Sequence, residues 1–288
     1  MNARSVFKRA WRKPGIQLTL LLVMLCTACS AQQPTATKIF VLSANRGCKI
    51  TTYTLDGKQI DPEIGIGGFT CNGMVMDSHG NLLVSIMNRG VMKFNSEDGK
   101  GKMFIGAPSA SAIAIDRKQI IHLLITKDTD NWQVRTFSPN GAGSAWPMTI
   151  NLAYVSGIAL NSEGTLYALS QGNSVIRMYE PDGRQLVQSI HTGDTPKAIA
   201  VAPDGKIYFA NFLSVTSLLP DGKTPVWPAL KHAAPGGGFD NPTALTVGDD
   251  GTLYIGYNGG SVGIIGADGK PRGGVFQALP DIRGIAVR

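Results

Sequence analysis

The chain has 288 residues, with 27 basic side chains against 20 acidic ones and a formal charge of +7. Five of those positive charges, Arg4, Lys8, Arg9, Arg12 and Lys13, lie in the first thirteen residues, so the remainder carries only about +2. No basic stripe is left to neutralise a run of phosphates, which excludes nucleic acid as the expected partner.

The chain begins with a basic, acid-free stretch, "MNARSVFKRAWRK", followed by the mostly apolar "GIQLTLLLVMLCTA". That apolar run is too short to span a bilayer as a mature helix and has the form of a secretory signal over residues 1–28. The segment continues "LCTACSAQQPTATK", with the small residue Ala28 before Cys29 and a polar, proline-containing stretch after it. This resembles a bacterial lipoprotein lipobox. It departs from that pattern at Cys26, where the family usually has leucine or another apolar or small residue. The resemblance implies a lipid on Cys29, a tether over residues 29–37 and membrane attachment through that lipid. Ser30 after the cysteine implies outer-membrane sorting, facing the periplasm, in a cell with two membranes. Cys48 and Cys71 would then remain in an oxidising compartment, either bridged or as two separate buried thiols.

From residue 38 onward one phrase recurs, apolar alternation, then a turn, then a second strand. The copies are "GMVMDSHGNLLVS" from Gly73, "AIAIDRKQIIHLLI" from Ala112, "GIALNSEGTLYALS" from Gly157, "AIAVAPDGKIYFAN" from Ala198 and "ALTVGDDGTLYIGY" from Ala244. A truncated copy, "GIAVR" from Gly284, closes the chain. A second phrase, a strand ending in a turn of Asp-Gly type, places glycines at 57, 99, 141, 183, 222 and 269. Those hairpin turns need positive φ, which glycine adopts without steric cost. The spacings of 42, 42, 42, 39 and 47 residues, with four short strands per repeat, are those of propeller blades. The terminal "IRGIAVR" supplies an inner strand without partners, and "KIFVLSAN" with "CKITTYTLDG" supplies partners without an inner strand. Paired, they make a sixth blade and leave no open sheet edge. The expected fold is therefore all-β: one six-bladed propeller over residues 38–288, with no helical period of useful length.

The phrases "PKAIAVAPDGKIYFAN" and "SIMNRGVMKFNSEDGK" resemble NHL repeats. Similar phrases occur in the gluconolactonase and senescence-marker-protein family and in the streptogramin-lyase group. The likeness, over residues 38–288, is specific for fold and weak for activity, because propellers host enzymes, scaffolds and receptors alike. It implies that ligands sit on the face where the inner strands begin. The residues entering the six strands there are Asn72, Ser111, Ser156, Lys197, Thr243 and Arg283. In the lactonases a glutamate, an asparagine and an aspartate hold a divalent metal; here only Asn72, in "CNGM", matches. Hard divalent cations want several oxygen ligands including carboxylates, whereas Lys197 and Arg283 would repel a cation. "YNGGSVG" from Tyr257 echoes a lactonase phrase only as a loop and strand. Neither a metal nor another cofactor is expected.

Of the histidines, His79 belongs to a turn on the opposite face and His122 to a strand. His191 and His232 are expected in loops, His191 near Asp194, which keeps acid–base chemistry open. Gly259-Gly260-Ser261-Val262-Gly263 has the Gly-x-Ser-x-Gly pattern without the strand-to-helix elbow its chemistry requires. No zinc spacing or phosphate-cradling loop is present, and Gly236-Gly237-Gly238 reads as a mobile insertion. Among the tryptophans, Trp146 and Trp227 are expected to cover outer strands, and Trp132 to contact a ligand from a loop. Asn45, Arg46, Asn88, Arg89, Asn173, Asn211 and Asn258 fall on loops, where asparagine also serves as a turn former. The function expected is a non-enzymatic binding or scaffolding lipoprotein of the cell envelope, taking a small anionic or carbohydrate ligand or a protein partner. The alternative is a lactonase- or lyase-type propeller enzyme.

Overall fold

A computed structural model describes residues 37–60, 63–126, 132–144, 148–193, 195–231 and 240–288. The signal segment, Cys29, Trp146, Asp194, His232 and Gly236 to Gly238 lie outside the described residues. The strands, numbered along the chain, form six four-stranded antiparallel sheets, and no helix occurs among the described residues.

The first complete blade holds β4 (Cys71–Met76), β5 (Asn81–Ile86), β6 (Gly90–Asn95) and β7 (Gly101–Gly106). The second holds β8 (Ala110–Ile115), β9 (Ile121–Thr126), β10 (Trp132–Phe137) and β11 (Met148–Ile150). The third holds β12 (Val155–Leu160), β13 (Leu166–Ser170), β14 (Val175–Tyr179) and β15 (Gln185–His191). The fourth holds β16 (Ala198–Val201), β17 (Ile207–Ala210), β18 (Ser214–Leu218) and β19 (Leu230–Lys231). The fifth holds β20 (Pro242–Val247), β21 (Leu253–Tyr257), β22 (Ser261–Ile265) and β23 (Phe276–Gln277). The sixth joins both ends of the chain in the order β24 (Ile282–Val287), β1 (Ile39–Ser43), β2 (Cys48–Tyr53) and β3 (Ile64–Gly67). The ring closes as the complementary chain ends predict: Phe40 stands opposite Ala286 and Val41 opposite Ile285. The amides of Thr37 and Lys38 both donate to the Arg288 carbonyl.

The second strand of each blade is covered on both faces, which explains its largely apolar sequence. In β5, Leu82, Val84 and Ile86 enter a core shared with Phe40, Leu42 and Ile50 of the sixth blade. Leu83 points the other way, into a core with Ile113, Leu123 and Ile125 of the second blade. The same division gives one apolar wedge between each pair of neighbouring blades. A disulfide joins Cys48 to Cys71 within the wedge between the sixth and first blades.

The turn glycines identified by the repeat, Gly57 through Gly269, all adopt positive φ. A further glycine, Gly90, opens β6 at φ +121°, where an added Cβ would lie 2.0 Å from the Ile105 carbonyl oxygen. Only a residue without a side chain fits there.

Candidate functional site

The inner strands begin around a narrow mouth, a recess of about 100 Å³ bordered by Asn72, Ser156, Lys197, Thr243 and Arg283. Aligning the repeats thus places five of the six entry residues around one opening. Ser111 is not among its lining residues; Ala112 and Ile113 represent that strand. Two positions further along, Met74, Ile113, Ile158, Ile199, Leu245 and Ile285 form an aliphatic girdle across the axis. Beyond the girdle the axis widens into a cup of about 800 Å³ on the opposite face, bordered by His79, Gln119, Asp249 and Arg288.

The small polar residues of the narrow mouth are largely occupied with the neighbouring blade. Asn72 Nδ2 donates to the Ala110 carbonyl at 3.1 Å. Ser156 Oγ reaches the Pro196 carbonyl at 3.3 Å, and Thr243 Oγ1 donates to the Ile282 carbonyl at 2.7 Å. Ser85 Oγ does the same to the Ser111 carbonyl at 2.7 Å. Each bond ties a blade to the innermost strand of the next blade or to the residues leading into it. The two cations are placed differently. Arg283 is exposed, and its Nε lies 2.8 Å from Asp281 Oδ1. Lys197 is fixed through its backbone amide to the Ala210 carbonyl at 2.8 Å. Among the described residues its ammonium has no hydrogen-bond or ion-pair partner.

The donor set at this mouth is therefore one amide, hydroxyls and two cations. It does not fit the divalent metal of the lactonases, which needs converging carboxylates. Among the described residues no group of three or more His, Cys, Asp or Glu side chains could hold a metal. Asp240, just before β20, is buried; it accepts the Gly259 amide at 2.8 Å, and its second oxygen has no hydrogen-bond partner among the described residues.

Several sequence expectations need correction. Trp132 is not a loop residue: it is the first residue of β10, half-buried against the wedge of the second and third blades. His191 ends the outer strand β15 and is not in a loop. Asn173 and Asn211 are used locally, Asn173 Oδ1 accepting the Ala153 amide and Asn211 Nδ2 donating to the Thr192 carbonyl. Trp227 is buried against Tyr208, with ring centroids 5.8 Å apart, as a cover of the outer strands should be. Ser261 is buried in β22, away from any elbow.

Sequence reasoning passed over the apolar side chains of the narrow face. Tyr154 is 57% exposed, Phe212 50% and Met87 46%. The backbone of this face is also unusual. Among the described residues eight non-glycines have positive φ; seven of them, Arg46, Asn88, Ser109, Tyr154, Ser174, Thr195 and Asp281, lie in narrow-face loops. The other, Gln119, is in a turn of the wide face, where glycine serves elsewhere.

No protein-family model matches the chain, and the search of the curated proteins finds no relative. Solved structures are similar in fold. One, titled as a nidogen/laminin complex, is 15% identical with a TM-score of 0.66, covering 88% of this chain and 98% of that one. Virginiamycin B lyase from Staphylococcus aureus is 16% identical with a TM-score of 0.55, covering 82% and 79%. Regucalcin from Agrobacterium tumefaciens, described as a calcium-binding protein, is 12% identical with a TM-score of 0.59, covering 77% and 78%. At these identities the likeness is one of architecture: the chain is a six-bladed β-propeller.

Proposed function

We propose that this chain is a lipid-anchored protein of the cell envelope, exported by residues 1–28 and tethered through Cys29 and residues 29–37. Its NHL-like propeller, residues 38–288, acts as a non-enzymatic binding or scaffolding module. The tether reading rests on the basic n-region, the short apolar stretch and the Ala28-Cys29 junction. In the cell this means the outer membrane, with the propeller in the periplasm. The chain enters the propeller at Thr37, beside Arg288 on the rim of the wide cup.

The observation that carries the binding reading is the Lys197 ammonium. It stands at the narrow mouth without a partner among the described residues, near a second cation, where a cation-holding relative would need carboxylates. An anionic group, of a carbohydrate acid or of a protein partner, is the complement of that charge. The mouth's donor set lends no support to a lactonase or lyase reading. The test is a Lys197→Ala/Arg283→Ala double variant titrated with oligouronates and with Asp/Glu-rich peptides at low and physiological salt. At least one probe class should bind the parent in a salt-sensitive manner and lose most of its affinity to the variant. Equal binding by parent and variant would remove the anion reading. Mass measurement of the mature N-terminus tests the lipid on Cys29.

A further inference from the structure

The Cys48–Cys71 bond crosses a wedge in which one blade starts incomplete. The sixth blade has its inner strand, β24, at the far end of the chain from β1, β2 and β3. Until β24 arrives, β1, whose residues are all buried in the closed ring, offers a bare edge. The wedge between this half-blade and the first blade needs almost nothing from the C-terminal end. Every buried side chain described in it, except Ala286, lies between Phe40 and Phe94. The wedge on the other side does need that end: Ile39 and Val41 pack there with Tyr254, Val262 and Ile285.

β24 takes a seat with two walls. On one side it hydrogen-bonds β1, with Val41 opposite Ile285. On the other it lies against β4, so closely that a Cβ on Gly284 would come 2.9 Å from the Met74 amide nitrogen. A seat that tight admits the strand at only one spacing of β1 and β4. The bond holds both walls: Cys71 is the first residue of β4, and Cys48 is the first residue of β2, the strand that pairs β1. The linker between β3 and β4 is anchored on the first blade as well. The Thr70 carbonyl accepts the Met87 amide at 2.9 Å, and the Arg89 guanidinium lies 4.1 Å over the Phe69 ring.

We infer that the Cys48–Cys71 pair is a redox-sensitive closure device: once bonded, it fixes the half-blade on the first blade and presets the seat of β24. With the thiols reduced, β1 and β4 must find their spacing and receive β24 together, and closure slows. Bonding takes two electrons and two protons from the two thiols and passes them, by thiol–disulfide exchange, to a disulfide oxidant, which leaves as two thiols. The ring therefore closes slowly where thiols are kept reduced and quickly where they are oxidised. This differs from a contribution to stability alone: a staple acting only after closure would slow unfolding and leave the refolding rate unchanged.

The test uses the full chain with Cys26→Ser and Cys29→Ser, so that no other thiol can pair. Oxidised and fully reduced samples are unfolded in guanidinium by pulses too short for proline isomerisation, then refolded by dilution and followed by tryptophan fluorescence. The oxidised chain should refold at least tenfold faster, with a ceiling of about 300-fold if the whole loop entropy acts before the barrier. Unfolding rates should agree within about twofold. Refolding rates that agree within about twofold, with the difference carried by unfolding, would overturn the inference. Pulse-labelled hydrogen exchange during refolding of the oxidised chain reads the order of events. Amides of the β1–β2 and β4–β5 pairings should gain protection before those of the β24–β1 seam. Seam amides protected first, or together with the others, would overturn the inference even if the reduced chain failed to refold.

Discussion

Breaking the Cys48–Cys71 bond should weaken the propeller by about 3 to 3.5 kcal/mol. The bond closes a loop with a sequence separation of 23 residues, with its Cα atoms 6.1 Å apart. In the chain-entropy account, a loop of that size removes about 3.4 kcal/mol of freedom from the unfolded chain. Both sulfurs are buried in the wedge between the closing blade and the first. A Cys48→Ala/Cys71→Ala variant would add the loss of packed sulfur, so reduction of the parent isolates the cross-link. For a domain of this size each kcal/mol moves the midpoint by about 2–4 °C, so the expected drop is about 7 to 14 °C. The assay is thermal unfolding followed by far-UV circular dichroism, with and without reductant, after thiol titration shows complete reduction. The bond spans β2 and β4 and leaves the β24–β1 pairing intact, so the reduced protein should stay a closed ring and unfold in one transition. A fully reduced protein melting within about a degree of the oxidised one would refute the reasoning. Two separated transitions would refute it also, by showing that the bond holds a blade and not only a loop.

Two further outcomes follow from the packing and from one buried histidine. Gly90→Ala should destabilise by about 2–4 kcal/mol, because φ +121° is strained for alanine and the new methyl would collide with the Ile105 carbonyl. Gly68→Ala, with nothing within 4 Å of its added Cβ, should stay within about 0.5 kcal/mol; chemical unfolding curves of the pair compare them. His122 in β9 has its pKa pushed down by burial, which outweighs the attraction of Asp116 3.6 Å away. Its folded pKa lies below the unfolded one, so its contribution is fully present above about pH 6.5 and is lost as pH falls through the folded value. A His122→Gln variant should show a flatter decline of urea midpoint below pH 6.5 than the parent; parallel declines would contradict this.

The architecture was legible because a propeller writes its period into its turns. Asp56-Gly57, Asp182-Gly183 and Asp221-Gly222 mark the same corner in three different blades, and the unmatched strands at the two ends announce each other. Register was legible for the same reason, since the repeat alone puts Lys197 and Arg283 at the same position of their inner strands. The direction in which a small polar side chain spends its hydrogen bond was not legible. Asn72, Ser156 and Thr243 stand at the mouth and yet bond the next blade, because the carbonyls of Ala110, Pro196 and Ile282 come within reach only in three dimensions. Tyr154 escaped notice because nothing in "NLAYVSG" marks a left-handed tyrosine; local sequence carries φ only where glycine or asparagine stands. Trp132 was misplaced by the short distance between a loop and the first residue of a strand.

The closure of the ring also bears on how the molecule assembles. Five blades form their inner hairpins between residues close in sequence, with turns such as Asp77–Asn81 and Ala202–Lys206. The sixth must bring together residues as far apart as Thr37 and Arg288, separated by 251 positions. Pairing of distant segments is the slow part of folding, since the chain must lose that freedom before the contact repays it. The ring thus has a built-in order, with local sheets early and the β24–β1 seam late. The backbone interruption at that seam falls where each other blade has its inner hairpin turn. A chain opened at a narrow-face loop and joined there by an Asp-Gly turn would keep all twenty-four described strands and make every inner hairpin local.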